Sequence, residues 1–464
     1  MTGRLFSLLL GAPLLAGCST GSVAESPRDG GVTDTTTDVP VHDAHPADHV
    51  LPPDIDAMPP PGAFCALPGS VVFTSQGPEV VPGADASTPS LDWLSLPVGF
   101  CAHYFATVHN VRQMRFAPDG HLFVASPTTG TTGGGSGPEY GGNATIDVLP
   151  DDDADGVADR TVVFLNQLPS TQGLLFNGGY FYFQDGTTIR RVAFQNGDLQ
   201  PSAGVQAVTT ITATQSSIHW PKMLDVAQDG TMYVTNGGDQ SDRCMSTRPI
   251  LGSIWSIGAG GTTTLVSRGY RNPIALRCET NNNVCLAVEL VLDYSGQAGG
   301  REKVVPVRPG DDWGYPCCAT RGVPYANTTY GDTGATPDCS GVVPEPVSFL
   351  VGHTPFGLAF ETGRWPAPWT NRVFVTLHGE YVSWAGARVV GIPLDGSGLP
   401  LQASDTDGGN TSSMVDFATG WDDGHNDHGR PAPIEFAADG RMFLGDDNRG
   451  LIMWIAPVNL KPGQ

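Results

Sequence analysis

The chain has 464 residues and a formal net charge of -23 at pH 7, which argues against a nucleic-acid partner because phosphate binding requires a basic surface. Its 60 glycines, 39 prolines and charged fraction of 15% disfavour long helices, since glycine costs backbone entropy and proline lacks a donor. This composition favours many short strands joined by turns.

The N-terminus has the pattern of a bacterial lipoprotein signal. Arg4 precedes an apolar run from Leu5 to Leu15, and Leu15-Ala16-Gly17-Cys18 ends the segment. The run is too short to span a bilayer. We expect residues 1–17 to be removed and Cys18 to be lipidated, which would anchor an exported protein to the cell envelope without a transmembrane helix. A plain secretory signal is the alternative.

Residues 18–61 form the next segment, which has no aromatic residues and is rich in Asp, Thr and Pro. Such a segment buries too little apolar surface to offset the entropy of ordering, so we predict a disordered tether that begins with the lipidated cysteine. His42, His45 and His49 have the spacing of a metal-binding tract, but a solvated linker is the preferred interpretation.

Eight cysteines remain after Cys18. An even number in an exported chain predicts disulfides, and no CxxC pair or Cys/His cluster has the spacing of a zinc site. Cys278 and Cys285 flank three asparagines and could close a hairpin, while the other pairings stay open. The remaining six are Cys65, Cys101, Cys244, Cys317, Cys318 and Cys339.

A strand–turn–strand pattern recurs along the rest of the chain. Four copies carry a clear Asp-Gly or Gly-Gly hairpin turn, and the fourth and fifth have longer or different turns. This repetition predicts an all-β, six-bladed β-propeller over residues 62–464, with two unrelated β-sandwiches as the alternative. The copies span residues 114–125, 173–183, 223–234, 276–290, 357–377 and 434–445.

Polar residues stand next to four of these hairpins. His219 precedes the third, Arg271-Asn272-Pro273 precedes the fourth, His378-Gly379 follows the fifth and Arg430-Pro431 precedes the sixth. Ligand sites of propellers lie over the central channel, at loops beside the inner strands. Each residue alone has an ordinary structural interpretation. Together they predict a cationic, histidine-containing pocket for a polyanionic ligand.

Several motifs resemble those of the glucose/sorbosone dehydrogenases, which are six-bladed propellers that use pyrroloquinoline quinone (PQQ). The resemblance covers roughly residues 98–456. The motifs that carry it are Gly269-Tyr270-Arg271-Asn272-Pro273, Pro309-Gly310-Asp311-Asp312-Trp313-Gly314-Tyr315-Pro316, Thr354-Pro355-Phe356-Gly357-Leu358-Ala359-Phe360 and Leu377-His378-Gly379.

The resemblance implies a catalytic base at His219. In the family a histidine precedes a leucine by five residues and the Asp-Gly turn by ten, and His219, Leu224 and Asp229 keep this spacing. His219 would take the proton of a substrate hydroxyl while hydride passes to the quinone. An imidazole suits this role because its ordinary pKa, near 6.5, leaves it largely neutral at working pH.

The resemblance also implies a set of cofactor ligands. Arg271 and Asn272 match the pair that contacts the quinone oxygens, where the Arg271 cation would stabilise charge during catalysis. Arg430, nine residues before Asp439, matches an arginine that binds a cofactor carboxylate. His378 stands where sugar-oxidising members often carry a lysine.

Two calcium sites are predicted. The loop around Gly310 and Asp311 corresponds to one whose backbone carbonyls bind the cofactor's calcium, which would polarise and orient the quinone. A second, structural site is indicated by residues 151–159, where acids occupy positions 1, 3, 5 and 9 of a loop of the EF-hand kind and Val162 replaces the acid at position 12. An exposed acidic turn is the alternative. The acids are Asp151, Asp153, Asp155 and Asp159.

The chain departs from the family pattern at two positions and also after the first hairpin, where residues 126–130 offer no obvious partner for the quinone. Met223 stands where several members have a basic residue, and Ala432 stands where a second arginine follows the first.

The sequence therefore predicts a lipid-anchored quinoprotein that oxidises a sugar or polyol with PQQ and calcium and passes electrons to an acceptor that it does not identify. A non-catalytic propeller that binds carbohydrate or protein is the alternative. A calcium-dependent lactonase-type hydrolase is a third candidate.

Overall fold

The computed structural model describes most of the predicted propeller. The signal, Cys18 and the tether lie outside the described residues, so the boundary at residue 62 stays a prediction. No helix in the described part of the chain is long and apolar enough to cross a membrane. The described ranges are 64–126, 143–211, 219–238, 243–247, 252–291, 299–380, 385–406, 409–411, 413–422 and 428–460.

The chain enters the fold through a short 3-10 helix, Phe64–Ala66, and three strands that precede the first blade. These strands are β1 (Val71–Thr74), β2 (Gly77–Val80) and β3 (Phe100–Thr107). β1 pairs with both of the others in antiparallel fashion.

The first three blades are four-stranded antiparallel sheets, with strands numbered from the channel outward. Blade 1 contains β4 (Gln113–Phe116), β5 (Leu122–Ser126), β6 (Ala144–Leu149) and β7 (Val162–Leu168). Blade 2 contains β8 (Leu174–Asn177), β9 (Tyr180–Asp185), β10 (Thr188–Ala193) and β11 (Gln206–Thr210). Blade 3 contains β12 (Leu224–Val226), β13 (Met232–Asn236), β14 (Gly252–Ile257) and β15 (Thr263–Tyr270), with a 3-10 helix at Ala259–Gly261.

Blade 4 is a six-stranded sheet, and the only other described sheet with six strands contains β1, β2, β3 and the strands of blade 6. It contains β16 (Asn272–Cys278), β17 (Cys285–Leu290) and β18 (Glu302–Pro306), followed by β21 (Val347–Phe349), β25 (Ala403–Thr406) and β26 (Gly409–Asn410). A separate small hairpin, β19 (Cys318–Thr320) and β20 (Val323–Pro324), lies in the insertion before β21.

Blades 5 and 6 complete the ring. Blade 5 contains β22 (Pro355–Phe360), β23 (Arg372–Leu377), β24 (Arg388–Pro393) and β27 (Val415–Ala418). Blade 6 contains β28 (Pro431–Phe436), β29 (Met442–Asp446) and β30 (Leu451–Pro457). Its fourth strand is β3, which pairs with β30 from Phe100↔Pro457 to Thr107↔Leu451. Backbone hydrogen bonds between early and late parts of the chain therefore close the ring.

The inner strands surround one channel. In the order β4, β8, β12, β16, β22 and β28 each contacts the next, and β28 contacts β4. Each of the six predicted hairpins supplies the two innermost strands of one blade. The predicted six-bladed, all-β propeller is confirmed, and the alternative of two β-sandwiches is wrong.

The apolar core lies between neighbouring blades. Phe123 of blade 1 and Phe181 of blade 2, for example, are fully buried and have ring centroids 5.1 Å apart. Alternate residues of each strand face opposite neighbours, so every blade buries apolar side chains on both faces.

The eight cysteines form four disulfides, as their even number predicts. Cys278–Cys285 closes the hairpin between β16 and β17, which confirms the pairing suggested by the sequence. The other three disulfides are Cys65–Cys101, Cys244–Cys317 and Cys318–Cys339.

Candidate functional site

Four charged side chains close one end of the channel, and we call them the channel plug: Arg115, Asp225, Arg277 and Glu435. Arg115 Nη2 lies 2.9 Å from Asp225 Oδ2, and Arg277 Nη2 pairs with Glu435 Oε2. These pairs join blade 1 to blade 3 and blade 4 to blade 6. Because the partners belong to blades that are not neighbours, the side chains span the channel.

The plug is a buried cluster with equal numbers of positive and negative groups. Burial, reinforced by the nearby Arg115, lowers the pKa of Arg277 to about 10. Buried charges persist when each is paired, as here. All four residues stand near the C-terminal ends of their inner strands, so the N-terminal ends of those strands meet at the opposite end of the channel, which we call the mouth.

His219 lies at the mouth, just before β12, and is 3% exposed. Its Nδ1 lies 2.8 Å from the carbonyl oxygen of Gly238. A carbonyl oxygen only accepts hydrogen bonds, so Nδ1 carries the ring hydrogen and the basic nitrogen of the neutral ring is Nε2. A Cβ at Gly237 would lie 2.4 Å from the carbonyl oxygen of His219, so this glycine permits the close approach of the two segments.

Arg271 and Asn272 lie beside this histidine. The N–H of Gly238 donates to the Arg271 carbonyl over 2.6 Å, which joins the His219 segment to the start of β16. The Arg271 N–H donates to Glu289 Oε1 over 2.5 Å. Burial raises the pKa of Glu289, although the Arg271 N–H opposes the rise. These backbone hydrogen bonds place the His219 segment next to the start of β16, where Arg271 and Asn272 stand, and the roles of the three side chains stay predictions.

His378 forms a second polar pair, with Asp447, on the blade 5 and 6 side. Its Nε2 donates to Asp447 Oδ1 over 2.8 Å, and Asp447 Oδ2 lies 2.8 Å from Arg112 Nε. Burial lowers the pKa of His378 to about 4, outweighing the opposing effect of Asp447. Burial alone would raise the pKa of Asp447, but Arg112 and His378 hold it well below its usual range.

Arg430 supports the turn that carries His378. It is 8% exposed, its Nε donates to the His378 carbonyl over 3.1 Å, and its Nη2 donates to the Gly379 carbonyl over 2.9 Å. The role of Arg430 in binding a cofactor carboxylate stays a prediction. In the structure, two of its donor nitrogens serve the protein backbone.

The loop predicted to bind the cofactor's calcium packs along the outer strand of blade 3. The Gly310 N–H donates to the Val266 carbonyl over 2.8 Å, and the Asp311 carbonyl accepts from the Arg268 N–H over 3.0 Å. Burial raises the pKa of the Asp311 carboxyl. The structure therefore joins Gly310 and Asp311 to β15, whereas Arg271 and Asn272 stand at an inner strand.

The acidic loop at residues 151–159 has carboxylate oxygens that could hold a metal ion. Atoms of Asp151, Asp153 and Asp155 lie within 4.8 Å of one another. Asp159, the fourth predicted acid, is not among these three, and its Oδ2 accepts from the Asp152 N–H over 2.6 Å. Burial raises the pKa of Asp151 to about 6. The structural calcium stays a prediction at this loop.

The two departures from the family pattern both point into the core. Met223 is 2% exposed and belongs to the apolar cluster of blades 3 and 4. Ala432 is fully buried, and its carbonyl accepts from Thr376 Oγ1 over 2.6 Å. A charged side chain at either position would enter an apolar layer.

Sequence reasoning missed Arg112, Asp447 and Lys222. Lys222 is a buried cation next to Met223, and its Nζ donates to the Trp220 carbonyl over 3.2 Å. A signal was present, because the chain has only three lysines and one of them stands three residues after His219.

Buried oxygen atoms near the mouth retain hydrogen-bonding capacity. Gln172 Oε1, Asn272 Oδ1 and Glu289 Oε2 have no hydrogen-bond partner among the described residues. Oxygen acceptors of this kind suit a hard cation, and the nearby Arg271 and Lys222 suit an anion. The donor set therefore fits an anionic ligand accompanied by a metal ion.

Comparison with known proteins supports the fold. A family model for a domain of unknown function, DUF7133, matches residues 86–262. No protein with a curated description matches the chain. The calcium structure of a Trichoderma reesei member of carbohydrate-active enzyme family AA12 is 17% identical with a TM-score of 0.63, covering 81% of this chain and 98% of that chain.

Two further solved structures have the same architecture. The holo PQQ domain of pyranose dehydrogenase from Coprinopsis cinerea is 14% identical with a TM-score of 0.60, covering 80% of this chain and 98% of that one. The chain has the fold of the PQQ-dependent sugar dehydrogenases. The PQQ-bound aldose sugar dehydrogenase from Streptomyces coelicolor is 16% identical with a TM-score of 0.50, covering 78% and 100%. The structural similarity shows the fold of this chain, and at these sequence identities it says nothing about the chemistry of its residues.

Proposed function

We propose that the protein is a PQQ-dependent dehydrogenase that oxidises a hydroxyl or hemiacetal carbon of a sugar or other polyol. The observation that carries this proposal is the contact between His219 Nδ1 and the Gly238 carbonyl, 2.8 Å, at the mouth of a propeller with the sugar dehydrogenase fold. This contact selects the tautomer in which Nε2 accepts a proton.

His219 acts as the base in the proposed reaction. Its Nε2 takes the proton of the substrate hydroxyl, while the carbon that bears this hydroxyl gives up its hydride and becomes a carbonyl carbon. The quinone, when bound, supplies the two-electron oxidant that receives the hydride. Arg271 places a positive charge beside the site, where it stabilises negative charge that develops during the transfer.

The residues at the mouth also supply groups that would hold the cofactor and its calcium. Arg271 and Asn272 would contact the quinone oxygens, and His378 and Arg430 would form the opposite wall. Asn272 Oδ1 and Glu289 Oε2 are buried oxygen acceptors beside Arg271 that would suit the cofactor's calcium, whereas Gly310 and Asp311, the ligands predicted from the sequence, lie against β15.

The test is reconstitution of the purified full chain with PQQ and calcium, followed by dye reduction with a panel of aldoses. We expect His219→Gln to lower turnover by about 100-fold or more, since general base catalysis is worth this much. His103→Gln is the matched control. His103 is a buried histidine of β3, the fourth strand of blade 6, and its Nε2 lies 3.0 Å from the Pro68 carbonyl oxygen. If the wild-type protein reduces dye with none of the aldoses, the proposal is rejected.

A non-catalytic binding propeller is the second candidate. One observation favours it: Arg112 and Arg430 bind Asp447 and backbone carbonyls of the protein itself. A binding protein would retain carbohydrate through equilibrium dialysis, without dye reduction, and would leave no turnover for His219→Gln to abolish. A lactonase would hydrolyse lactones in calcium without any quinone.

The electron acceptor and the anchor belong to the same proposal. Four disulfides are typical of a protein that folds outside the cytoplasm. We propose export as a lipoprotein anchored through Cys18, which places the propeller near an electron acceptor of the envelope. Metabolic labelling with a radioactive fatty acid tests the anchor, and Cys18→Ser should lose the label.

A further inference from the structure

We infer that Lys222, together with Ser170, Thr171 and Gln172, forms a carboxylate-binding subsite at the interface of blades 2 and 3. We call these four residues and Gln184 the Lys222 cluster. The inference rests on the proposed function for the identity of the ligand, but the cluster itself is defined by its own contacts.

The side chain of Gln184 holds two segments of the cluster together. Its Oε1 accepts from the backbone N–H of Gln172 over 3.1 Å and from that of Lys222 over 3.0 Å. Gly173 makes this approach possible, because a Cβ there would lie 1.9 Å from the Lys222 carbonyl oxygen. The backbones of Gln172 and Lys222 therefore lie side by side.

The ammonium group lies close to the same amide. Lys222 Nζ donates to the Trp220 carbonyl over 3.2 Å, and Gln184 Nε2 donates to the same oxygen over 2.9 Å. The segment that runs from His219 to Lys222 is thus fixed at both ends, by Gly238 and by Gln184. Lys222 and the proposed base belong to one rigid stretch of chain.

The cluster has more hydrogen-bonding groups than the described residues satisfy. Ser170 Oγ, Thr171 Oγ1 and Gln172 Oε1 are buried and have no hydrogen-bond partner in the described part of the chain. Gln172 Nε2 reaches the Ile274 carbonyl of blade 4 over 3.4 Å, so the amide extends across the channel. Buried polar groups of native proteins are almost always satisfied, which indicates a ligand or water at this position.

Lys222 and Lys303 are both buried, but they have different hydrogen-bond partners. An ammonium has three donors, and the described residues give Lys222 one acceptor and no carboxylate within ion-pair distance. Lys303, the other buried lysine, donates to the carbonyls of both Trp313 and Ala319. Burial lowers the pKa of Lys222 to about 8, as expected for a cation that lacks a counter-ion.

A carboxylate is the ligand group that completes this arrangement. It would pair with the ammonium and accept hydrogen bonds from the two hydroxyl groups, while Gln172 Oε1 would accept from a neighbouring N–H or O–H of the ligand. Two sources share this chemistry: a carboxylate of the quinone, or the carboxylate of an acidic sugar such as a uronate. The first assigns Lys222 to cofactor binding, and the second makes it a determinant of substrate choice.

The experiment uses the full chain as wild type, Lys222→Met and Lys222→Arg, with Lys303→Arg as the matched control. Equilibrium dialysis measures PQQ binding in calcium, and a second dialysis measures radiolabelled glucuronate and glucose. If the quinone supplies the carboxylate, we expect Lys222→Met to weaken PQQ binding by about tenfold or more and Lys222→Arg to restore most of it. If the substrate supplies it, glucuronate binding weakens by a similar factor while PQQ and glucose binding do not change.

Changes below twofold in both PQQ and glucuronate binding would overturn the inference. Failure of the proposed function can be distinguished from failure of this inference. A wild-type protein that does not bind PQQ rejects the quinoprotein proposal, whereas the carboxylate subsite can still be tested by acetylation of Lys222. Acetic anhydride labels the few lysines of the chain, and mass spectrometry then quantifies the label on Lys222. PQQ should protect Lys222 from acetylation if the quinone supplies the carboxylate, and glucuronate but not glucose should protect it if the substrate does. Equal labelling of Lys222 with and without PQQ, and with and without glucuronate, would reject the subsite.

Discussion

His219 and Arg271 are joined through a single residue, Gly238. The carbonyl of Gly238 accepts from His219 Nδ1 over 2.8 Å, and its N–H donates to the Arg271 carbonyl over 2.6 Å. One peptide segment therefore fixes both the tautomer of the proposed base and the position of the proposed cation. The site depends on the backbone at residues 237–238 as much as on the side chains.

This relationship predicts a strong effect of a methyl group at residue 237. Its Cβ would lie 2.5 Å from the His219 Cβ, so Gly237→Ala should displace the imidazole. We expect turnover to fall by about tenfold or more, since small displacements of catalytic groups are costly. Gly204→Ala is the control, because no heavy atom lies within 4 Å of a Cβ there. Equal turnover of the two variants would contradict the proposed role of Gly237 in positioning His219.

Lys222 should destabilise the protein in the absence of ligand. Its folded pKa, about 8, lies below the ordinary value of 10.5, so the unfolded chain binds more protons between these pH values. The free energy of unfolding should therefore rise as the pH increases from 8 to 10.5. Below pH 8 the full cost of burying the charged Lys222 ammonium should be present. Lys222→Met should be more stable than the wild type at pH 7, on the order of 2 kcal/mol.

Chemical denaturation of the ligand-free protein at pH 7 and pH 9.5 measures this difference. The Lys222→Met variant should show a smaller gain in stability over that interval than the wild type. Lys303→Met should instead lose stability, because Lys303 donates to two carbonyls. A Lys222→Met variant that is less stable than the wild type at pH 7 would show that the ammonium has a structural role.

Much of the fold follows from the sequence because its signals are local. Hairpin turns such as Asp119-Gly120 and Asn177-Gly178-Gly179 need nothing beyond their own residues, so the four inner hairpins with such turns were predictable from local signals. The fourth and fifth hairpins, which have longer or different turns, were predictable only from the repetition of the pattern. The pairing of β3 with β30 was not, because it joins strands about 350 residues apart along the chain and has no local turn signal.

The site was partly predictable for the same reason. His219, Arg271 and Asn272 precede inner strands, and a ring of hairpins places such positions around one channel. Asp447 could not be recognised as a partner of His378, because their contact joins blades 5 and 6 through side chains. The burial of Lys222 beside Met223 was not predictable either, because both residues precede β12 and the packing of the whole ring buries both side chains.

Acid should destabilise the protein through His378. The folded pKa of His378 is about 4, below the ordinary value of 6.5, so the unfolded chain takes up this proton first. The part of the folding stability that depends on neutral His378 is fully present above pH 6.5 and is lost as the pH falls from 6.5 to about 4. His378→Gln should show a flatter dependence of stability on pH across this interval, measured by urea denaturation. An unchanged slope would contradict the buried, neutral state of His378.

The channel plug should behave as one unit. Arg277→Met leaves Glu435 without its nearest cation, so we expect a loss of about 3 to 5 kcal/mol in the free energy of unfolding. The double variant Arg277→Met, Glu435→Leu should regain part of this loss, because no charge is then left unpaired. A double-mutant cycle in guanidinium chloride measures the coupling, and additive losses would contradict a paired plug.

If His219 is the base of a quinone-dependent oxidation, its replacement should block reduction of the quinone without blocking PQQ binding. The most direct test is a titration of the calcium-loaded full chain with PQQ, followed by one addition of aldose while the quinone absorbance is recorded. We expect saturable PQQ binding by the wild type and by His219→Gln, with rapid reduction of the bound quinone in the wild type alone. Absence of PQQ binding, or equal reduction rates in the two proteins, would contradict this expectation.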